Sequence, residues 1–268
     1  HQVVRRQRQM CIRDRAMILA HELHHAEYRE WCKHCVSGKG VSHQHRHREQ
    51  EGTDAEFSVD YAFMTTAGKI DYECNLSQND KIGAIPILVG YDHRSRGIWA
   101  TIVENKGATD TAVRWLTEKI DQAGCRGVKI VLKSDQEESI VALKKAVAVK
   151  RQAETVPIES PVRDSQANGS AERAIRTWAA QVRTLRHHLE YRIGSKMALT
   201  SALMSWLVAW SAEVLCRYKL QPYGKTSYEY NTGHKGLQPI AIFGEKIMYK
   251  YTSEKTKRNK MESEWDSG

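Results

Sequence analysis

From residue 57 to residue 158 the apolar residues change period in an order that few folds accommodate. Phe57, Val59, Tyr61 and Phe63 alternate, so they share one face of a strand, with Ser58, Asp60 and Ala62 on the other. Ile85–Tyr91 and Gly97–Val103 repeat the strand pattern and are joined by the turn Asp92-His93-Arg94-Ser95-Arg96. The period then switches. Ala112, Trp115, Leu116 and Ile120 recur at helical spacing within Thr109–Ala123, and Gly124 and Gly127 bracket the end. The β-branched run from Val128 to Leu132 leads to Asp135, Glu138–Lys150 is helical again, and Glu154–Ile158 is a short strand. Three strands in succession imply an antiparallel meander. The alternation that follows adds parallel strands, so βββαβαβ predicts an α/β layered domain with a mixed sheet.

Three acids occupy distinctive places in that order. Asp60 lies in mid-strand among small residues, where it must face water or a counter-charge. Asp135 ends an apolar strand and stands at the rim of a sheet. Glu172 opens a helix whose apolar stripe is Ala171, Ile175, Trp178, Val182, Leu185 and Leu189. Each acid has a blander explanation: an edge-strand aspartate pointing to solvent, a solvated rim residue, and a carboxylate favoured by the helix dipole. Arg173, Arg176, Arg183 and Arg186 give the same helix a basic side suited to phosphates.

The chain of 268 residues is long enough for a full core and smaller appendages. Its charge is unevenly spread. Residues 1–50 carry ten Lys/Arg against five Asp/Glu, residues 51–190 nineteen against twenty, and residues 191–268 twelve against seven. A near-neutral centre between basic arms fits a polyanionic partner, as it also fits ordinary solvated charge. The longest uncharged stretch, Met197–Ala212, is sixteen residues. A bilayer span needs about 20, so no membrane is expected. The helix predicted over Lys196–Arg217 has more apolar surface than one core needs, which points either to self-association or to packing on the preceding helix.

Seven of the twelve histidines fall between residues 21 and 47. His21 and His25 are one helical turn apart on one face, and Cys32-x2-Cys35 has the bite that tetrahedral zinc prefers. These four side chains make a closed structural Zn2+ site; the alternative is an exposed His-rich linker with a fortuitous Cys pair. His43, His45 and His47 read as linker. With no secretory signal and one close Cys pair among six cysteines, the thiols are expected to be reduced.

The resemblance comes from these residues together. Asp60, Asp135 and Glu172, with 36 residues between the last two, resemble the D, D(35)E triad of retroviral-type integrases, a ribonuclease-H-like family. Ser165-Gln166-Ala167-Asn168-Gly169-Ser170-Ala171-Glu172-Arg173 is similar to the family's S-x-x-N-G-x-x-E-R signature. Trp31–Lys39 resembles the zinc region that precedes the core in copia-type retrotransposons, and Gly224–Glu229 and Phe243–Glu245 resemble the segment that follows it. The likeness covers about residues 21–268. Two departures stand out. Asp135 is followed by Gln136-Glu137-Glu138-Ser139 rather than a glycine-containing turn with Glu-Phe, and the gap from histidine to cysteine is shorter than the retroviral one.

The resemblance implies a mixed five-stranded ribonuclease-H-like sheet flanked by helices, preceded by a small zinc-binding segment and followed by a helical/β extension. It divides the chain into residues 1–15, 16–50, 51–217 and 218–268. The stretch Gln9–Arg15 resembles the translation of a sequencing adapter, so residues 1–15 are set aside and the chain is expected to be a fragment of a longer polyprotein. The implied activity is DNA 3′-end processing and strand transfer with two Mg2+ or Mn2+ ions held by Asp60, Asp135 and Glu172. Asn168, Arg173, Arg176 and Arg183 would contact DNA. The implied partners are double-stranded DNA and further copies of the chain, and the implied compartment is the nucleus. Two other readings fit the residues: a decayed copy that binds nucleic acid without chemistry, and a ribonuclease-H-like nuclease.

Overall fold

The structure, a computed structural model, describes residues 15–39, 54–66, 68–72, 75–159, 169–199, 201–236, 241–249 and 266–267. Residues 1–14, His43, His45, His47, most of the Ser165–Gly169 stretch and most of the tail lie outside this set. Its centre is a mixed sheet of β1 (Ala55–Met64), β2 (Ile70–Asp71), β3 (Ile85–Asp92), β4 (Ile98–Ile102), β5 (Ile130–Ser134) and β6 (Thr155–Glu159). The strand order is β4-β3-β1-β5-β6, with the two-residue β2 on β1. The meander β1-β3-β4 is antiparallel, and β1-β5-β6 is parallel. This is the mixed α/β sheet flanked by helices expected from the sequence, with β2 as an addition.

The pleat sorts β1 into two faces. Phe57, Val59, Tyr61 and Phe63 pack with Leu116 and Ile120 of α4 (Asp110–Ile120) and with Ile140, Leu143 and Val147 of α5 (Glu138–Arg151). Ala62 and Met64 pack on the other face with Ile175, Trp178 and Val182 of α6 (Gly169–Ile193) and Leu207 of α7 (Ala202–Tyr218). Burying each large apolar side chain contributes about 1.5–3 kcal/mol, which is why β1, apolar on both faces, takes the centre of the sheet. Asp60 is therefore no edge residue; it is 7% exposed. The indole Nε1 of Trp178 donates to the Val208 carbonyl at 3.1 Å, satisfying the one polar atom that α6 buries with that ring.

Several boundaries differ from the sequence reading. The helix expected from Lys196 begins at Ala202, because the Ser201 hydroxyl caps it by accepting the Leu203 amide at 3.3 Å. Between β1 and β3 lie β2 and a short helix, α3 (Gln78–Lys81), capped by Ser77. The chain turns at Gly244, and β7 (Met248–Tyr249) pairs with the distant β8 (Asp266–Ser267). On α5, Val149 is 80% exposed while Lys144 is fully buried, the reverse of their polarity.

The chain beyond α7 is seated on the core. Within α8 (Ser227–Thr232), Asn231 donates to the Ser95 hydroxyl at 3.2 Å, and Tyr223 just before it donates to the Ser95 carbonyl at 2.6 Å. At the other end, α2 (Lys33–Lys39) packs against α6, and α1 (Arg15–His24) is tied to it at His24, whose carbonyl accepts from Gln181. Gly38 is required there: a Cβ would stand 1.9 Å from the Thr184 hydroxyl.

Candidate active site and metal centre

The parallel ladder between β1 and β5 sets the first pair of acids. Ser58 pairs with Lys133, and two residues further along each chain are Asp60 and Asp135. Adjacent strands lie about 4.8 Å apart and successive side chains alternate. Asp60 therefore shares the face of β1 that carries Ala62 and that α6 covers, and Asp135, one residue past the end of β5, lies close enough for its charge to act on Asp60. Glu172 stands in the first turn of α6, its side chain 37% exposed, with Arg176 at 3.9 Å one turn on. His93 links the elements: its Nε2 lies 2.7 Å from the Ser58 hydroxyl and 3.5 Å from that of Ser170 at the start of α6.

The electrostatics tie the acids together. The Asp60 carboxyl is pushed up to about 7, first by burial and next by the charge of Asp135, with smaller pushes from Glu137 and Glu172. The Tyr61 amide, donating to Asp60 Oδ1 at 2.8 Å, works against that rise. Burial also raises Asp135, opposed by the Glu137 amide at 3.2 Å and by the charges of Lys144 and Lys106. A buried acid raised by like charges is a site short of positive charge. Carboxylate oxygens are the donors that Mg2+ and Mn2+ prefer, so the donor set fits such ions. The three carboxylates are less tightly gathered than the His/Cys group described below.

Three residues near the acids were not singled out from the sequence. Lys106 forms an ion pair with Glu137, and Ser139 hydrogen-bonds the same carboxylate. The Gly107 amide donates to the Tyr61 hydroxyl at 3.0 Å, which holds the Lys106 loop over β1. Lys144 donates to the Ile158 carbonyl at 2.8 Å and adds positive charge near Asp135. Glu137 had one signal, its place in the turn that departs from the integrase pattern. Lys106 and Lys144 had none, since their partners are 31 and 14 positions away. Replacing Lys144 with Met should raise the Asp135 pKa further, because a cation that favours the carboxylate is removed. The acidic limb of any metal-dependent pH profile should move to higher pH, and the orphaned Ile158 carbonyl should cost about 1–3 kcal/mol in denaturant unfolding.

The second centre is the His21, His25, Cys32 and Cys35 set, all four buried, with donor atoms within 4.8 Å of one another. Among the described residues it is the one group of three or more such ligands drawn together to this degree. The contacts are His21 Nε2 to His25 Nδ1 at 3.3 Å, Cys32 Sγ to His25 Nδ1 at 3.4 Å, Cys35 Sγ to His21 Nε2 at 3.3 Å, and Cys35 Sγ to His25 Nδ1 at 3.7 Å. Zinc bonds of about 2.0–2.3 Å make a tetrahedron with edges of roughly 3.3–3.8 Å. The four side chains match those edges, so the group could hold zinc. The contact between Cys32 and Cys35 lowers the first thiol and raises the second, so without a metal the pair favours one thiolate, on Cys32. Behind the ligands, His25 Nε2 lies 3.2 Å from His188 Nδ1 of α6, and burial lowers His188 to about 3, so that ring is neutral.

The four nominated DNA contacts are spread apart. Arg173 and Arg176 are exposed in the first two turns of α6, beside Glu172. Arg183 lies further along and donates to the Gly38 carbonyl at 3.3 Å, on the side covered by α2. Asn168 lies outside the described residues.

No family model and no curated protein sequence matches the chain. Solved structures with a similar arrangement include the catalytic core of BIV integrase, at 15% identity and TM-score 0.41, covering 66% of this chain and 93% of that one. The simian T-cell lymphotropic virus intasome in complex with the PP2A regulatory subunit B56 gamma has 13% identity and TM-score 0.48, covering 78% and 66%. The HTLV-2 integrase catalytic core in complex with magnesium, in a trimeric form, has 8% identity and TM-score 0.41, covering 66% and 96%. Two of these three structures are integrase catalytic cores and the third is an intasome.

Proposed function

We propose that the chain is the integrase module of a copia-type retrotransposon and that it processes and joins DNA ends with Asp60, Asp135 and Glu172. The observation that carries this reading is the buried Asp60 carboxyl of β1, raised first by burial and then by the charges of Asp135, Glu137 and Glu172, which reach it from the end of β5 and from the first turn of α6. The sequence signature that begins at Ser165 and ends at Arg173 supports it independently.

Asp60 and Asp135 would hold two divalent ions with Glu172, which swings in from α6. When bound, two Mg2+ ions activate an attacking oxygen and stabilise the leaving oxygen of a phosphodiester. The chain's own residues do the rest. The rigid β1–β5 pair fixes the two aspartates, so little reorganisation is needed when DNA arrives. Exposed Arg173 and Arg176 lie where a phosphate chain entering beside Glu172 would pass. The charges of Lys144 and Lys106 oppose the rise that burial imposes on Asp135. No protein nucleophile is required: water serves in end trimming and a DNA 3′-hydroxyl in strand transfer.

Double-stranded DNA in the nucleus is the proposed partner, with further copies of the chain engaged through the exposed Leu203 and Trp206 of α7. Among the described residues no helix is long and apolar enough to cross a membrane. The test is joining of short labelled duplex ends to a target in Mg2+ or Mn2+, with Asp135→Asn alongside. Joining by wild type and its loss in the variant are expected. Unchanged joining by Asp135→Asn would refute the metal mechanism. DNA binding with wild type and variant equally inert would make this a binding protein without chemistry. Cleavage of RNA–DNA hybrids without joining would make it a nuclease.

A further inference from the structure

We infer that the His/Cys segment is a brace built onto the catalytic helix, and that His188 is the positioning residue through which zinc occupancy fixes α6. The inference rests on the zinc reading of His21, His25, Cys32 and Cys35.

The geometry starts with His25. Its Nδ1 faces the other three ligands, and its Nε2 faces His188 Nδ1 at 3.2 Å. A histidine that ligates through one nitrogen carries its proton on the other, so His25 Nε2–H donates to His188. Such an outer partner fixes the tautomer and ring orientation of the ligand. Here the partner belongs to α6, the helix whose first turn carries Glu172.

Other contacts make the docking rigid. Gln181 Nε2 donates to the His24 carbonyl at 2.7 Å. His34 Nδ1 lies 2.8 Å from His187 Nδ1, and Lys33 sits 3.4 Å from the centre of the Tyr191 ring. Gln181, Thr184 and His188 are buried although none belongs to the apolar stripe. At intervals of three and four they form a second stripe, polar and turned to α2. The helix is held on one side by the sheet and α7, and on the other by the metal segment. From His188 to Glu172 is sixteen residues of continuous helix, on the order of 24 Å of stiff rod. A constraint at one end therefore bears on the orientation of the acid at the other.

The experiment compares wild type, His188→Ala, His188→Gln and Gly38→Ala. Zinc retention is measured by competition with a chromophoric chelator, and amide hydrogen exchange is followed along α6 with zinc bound and after its removal. His188→Ala should weaken zinc retention about 10–100-fold and speed exchange in α6. His188→Gln, whose side-chain carbonyl can accept the His25 proton, should restore both. Gly38→Ala leaves all four ligands in place but drives a methyl into Thr184. It should deprotect α6 without changing the zinc stoichiometry. If zinc binds and α6 exchange is the same with and without it, the brace is wrong while the zinc site stands. If the wild-type chain binds no zinc, the zinc reading itself fails and the brace with it. If His188→Gln behaves like His188→Ala, the hydrogen bond is not the link and the proposal falls.

Discussion

Asp60→Asn should abolish DNA joining and, above pH 7, make the protein more stable. The two effects share one cause. Asp60 is nine-tenths buried, and its carboxyl is pushed from 3.8 to about 7 by burial and then by Asp135. A carboxyl whose folded pKa is raised stabilises the fold while it is protonated. That contribution is fully present below pH 3.8 and is lost as pH rises through about 7. At pH 8 the buried charge should cost on the order of 3–4 kcal/mol. The amide removes the charge at nearly the same volume but must find partners for its own hydrogens, so the net gain is smaller. A rise in Tm of roughly 5–10 °C at pH 8, shrinking toward zero at pH 5, is expected for a domain of this size. Joining should fall by at least about 10³-fold, since a shared metal ligand is lost. Thermal melts in zinc-containing buffer without Mg2+, at both pH values, check the sign. If Asp60→Asn melts lower than wild type at pH 8, the buried carboxylate is not a site of stored electrostatic cost. Adding Mg2+ should stabilise wild type and leave the variant unmoved.

Removing zinc should have the largest structural effect. Four buried ligands converge within 4.8 Å, and a metal present at about 1,000 times its Kd stabilises the folded state by roughly 4 kcal/mol. A Tm drop of roughly 8–16 °C is expected with a zinc-selective chelator. Cys35→Ala should reproduce the drop and abolish the response to zinc, because three ligands leave the tetrahedron open. Metal content and melting of wild type and variant, each with and without added zinc, decide it. A wild-type Tm that ignores both chelator and zinc would mean that the four side chains form a packed core without metal. The acid conditions that protonate histidine and thiolate ligands should release the metal in parallel.

The strands and helices were legible because their signals are local. The alternation from Phe57 to Phe63 and the stripe from Ala171 to Leu189 name their elements, and every residue of that stripe is buried in the fold. The four zinc candidates were legible for the same reason, since two short spacings suffice to bring two ligands each to one place. The acids were legible as members of a family pattern, although each alone had an ordinary explanation.

What the sequence by itself determined is the order of elements, the apolar face of each, and the identity of the groups capable of holding metal. Only the tertiary structure decided that β1 lies between β3 and β5, because strand pairing is non-local and a strand's own residues do not name its neighbours. That pairing buries Asp60 and sets it beside Asp135. Tertiary packing likewise decided that Lys144 is buried and Val149 exposed, and that a pair of histidines 163 positions apart joins the zinc segment to the helix carrying Glu172. Hydrophobic period is written along the chain, whereas the fields and hydrogen bonds that tune a site arise between residues that meet only when the chain has closed.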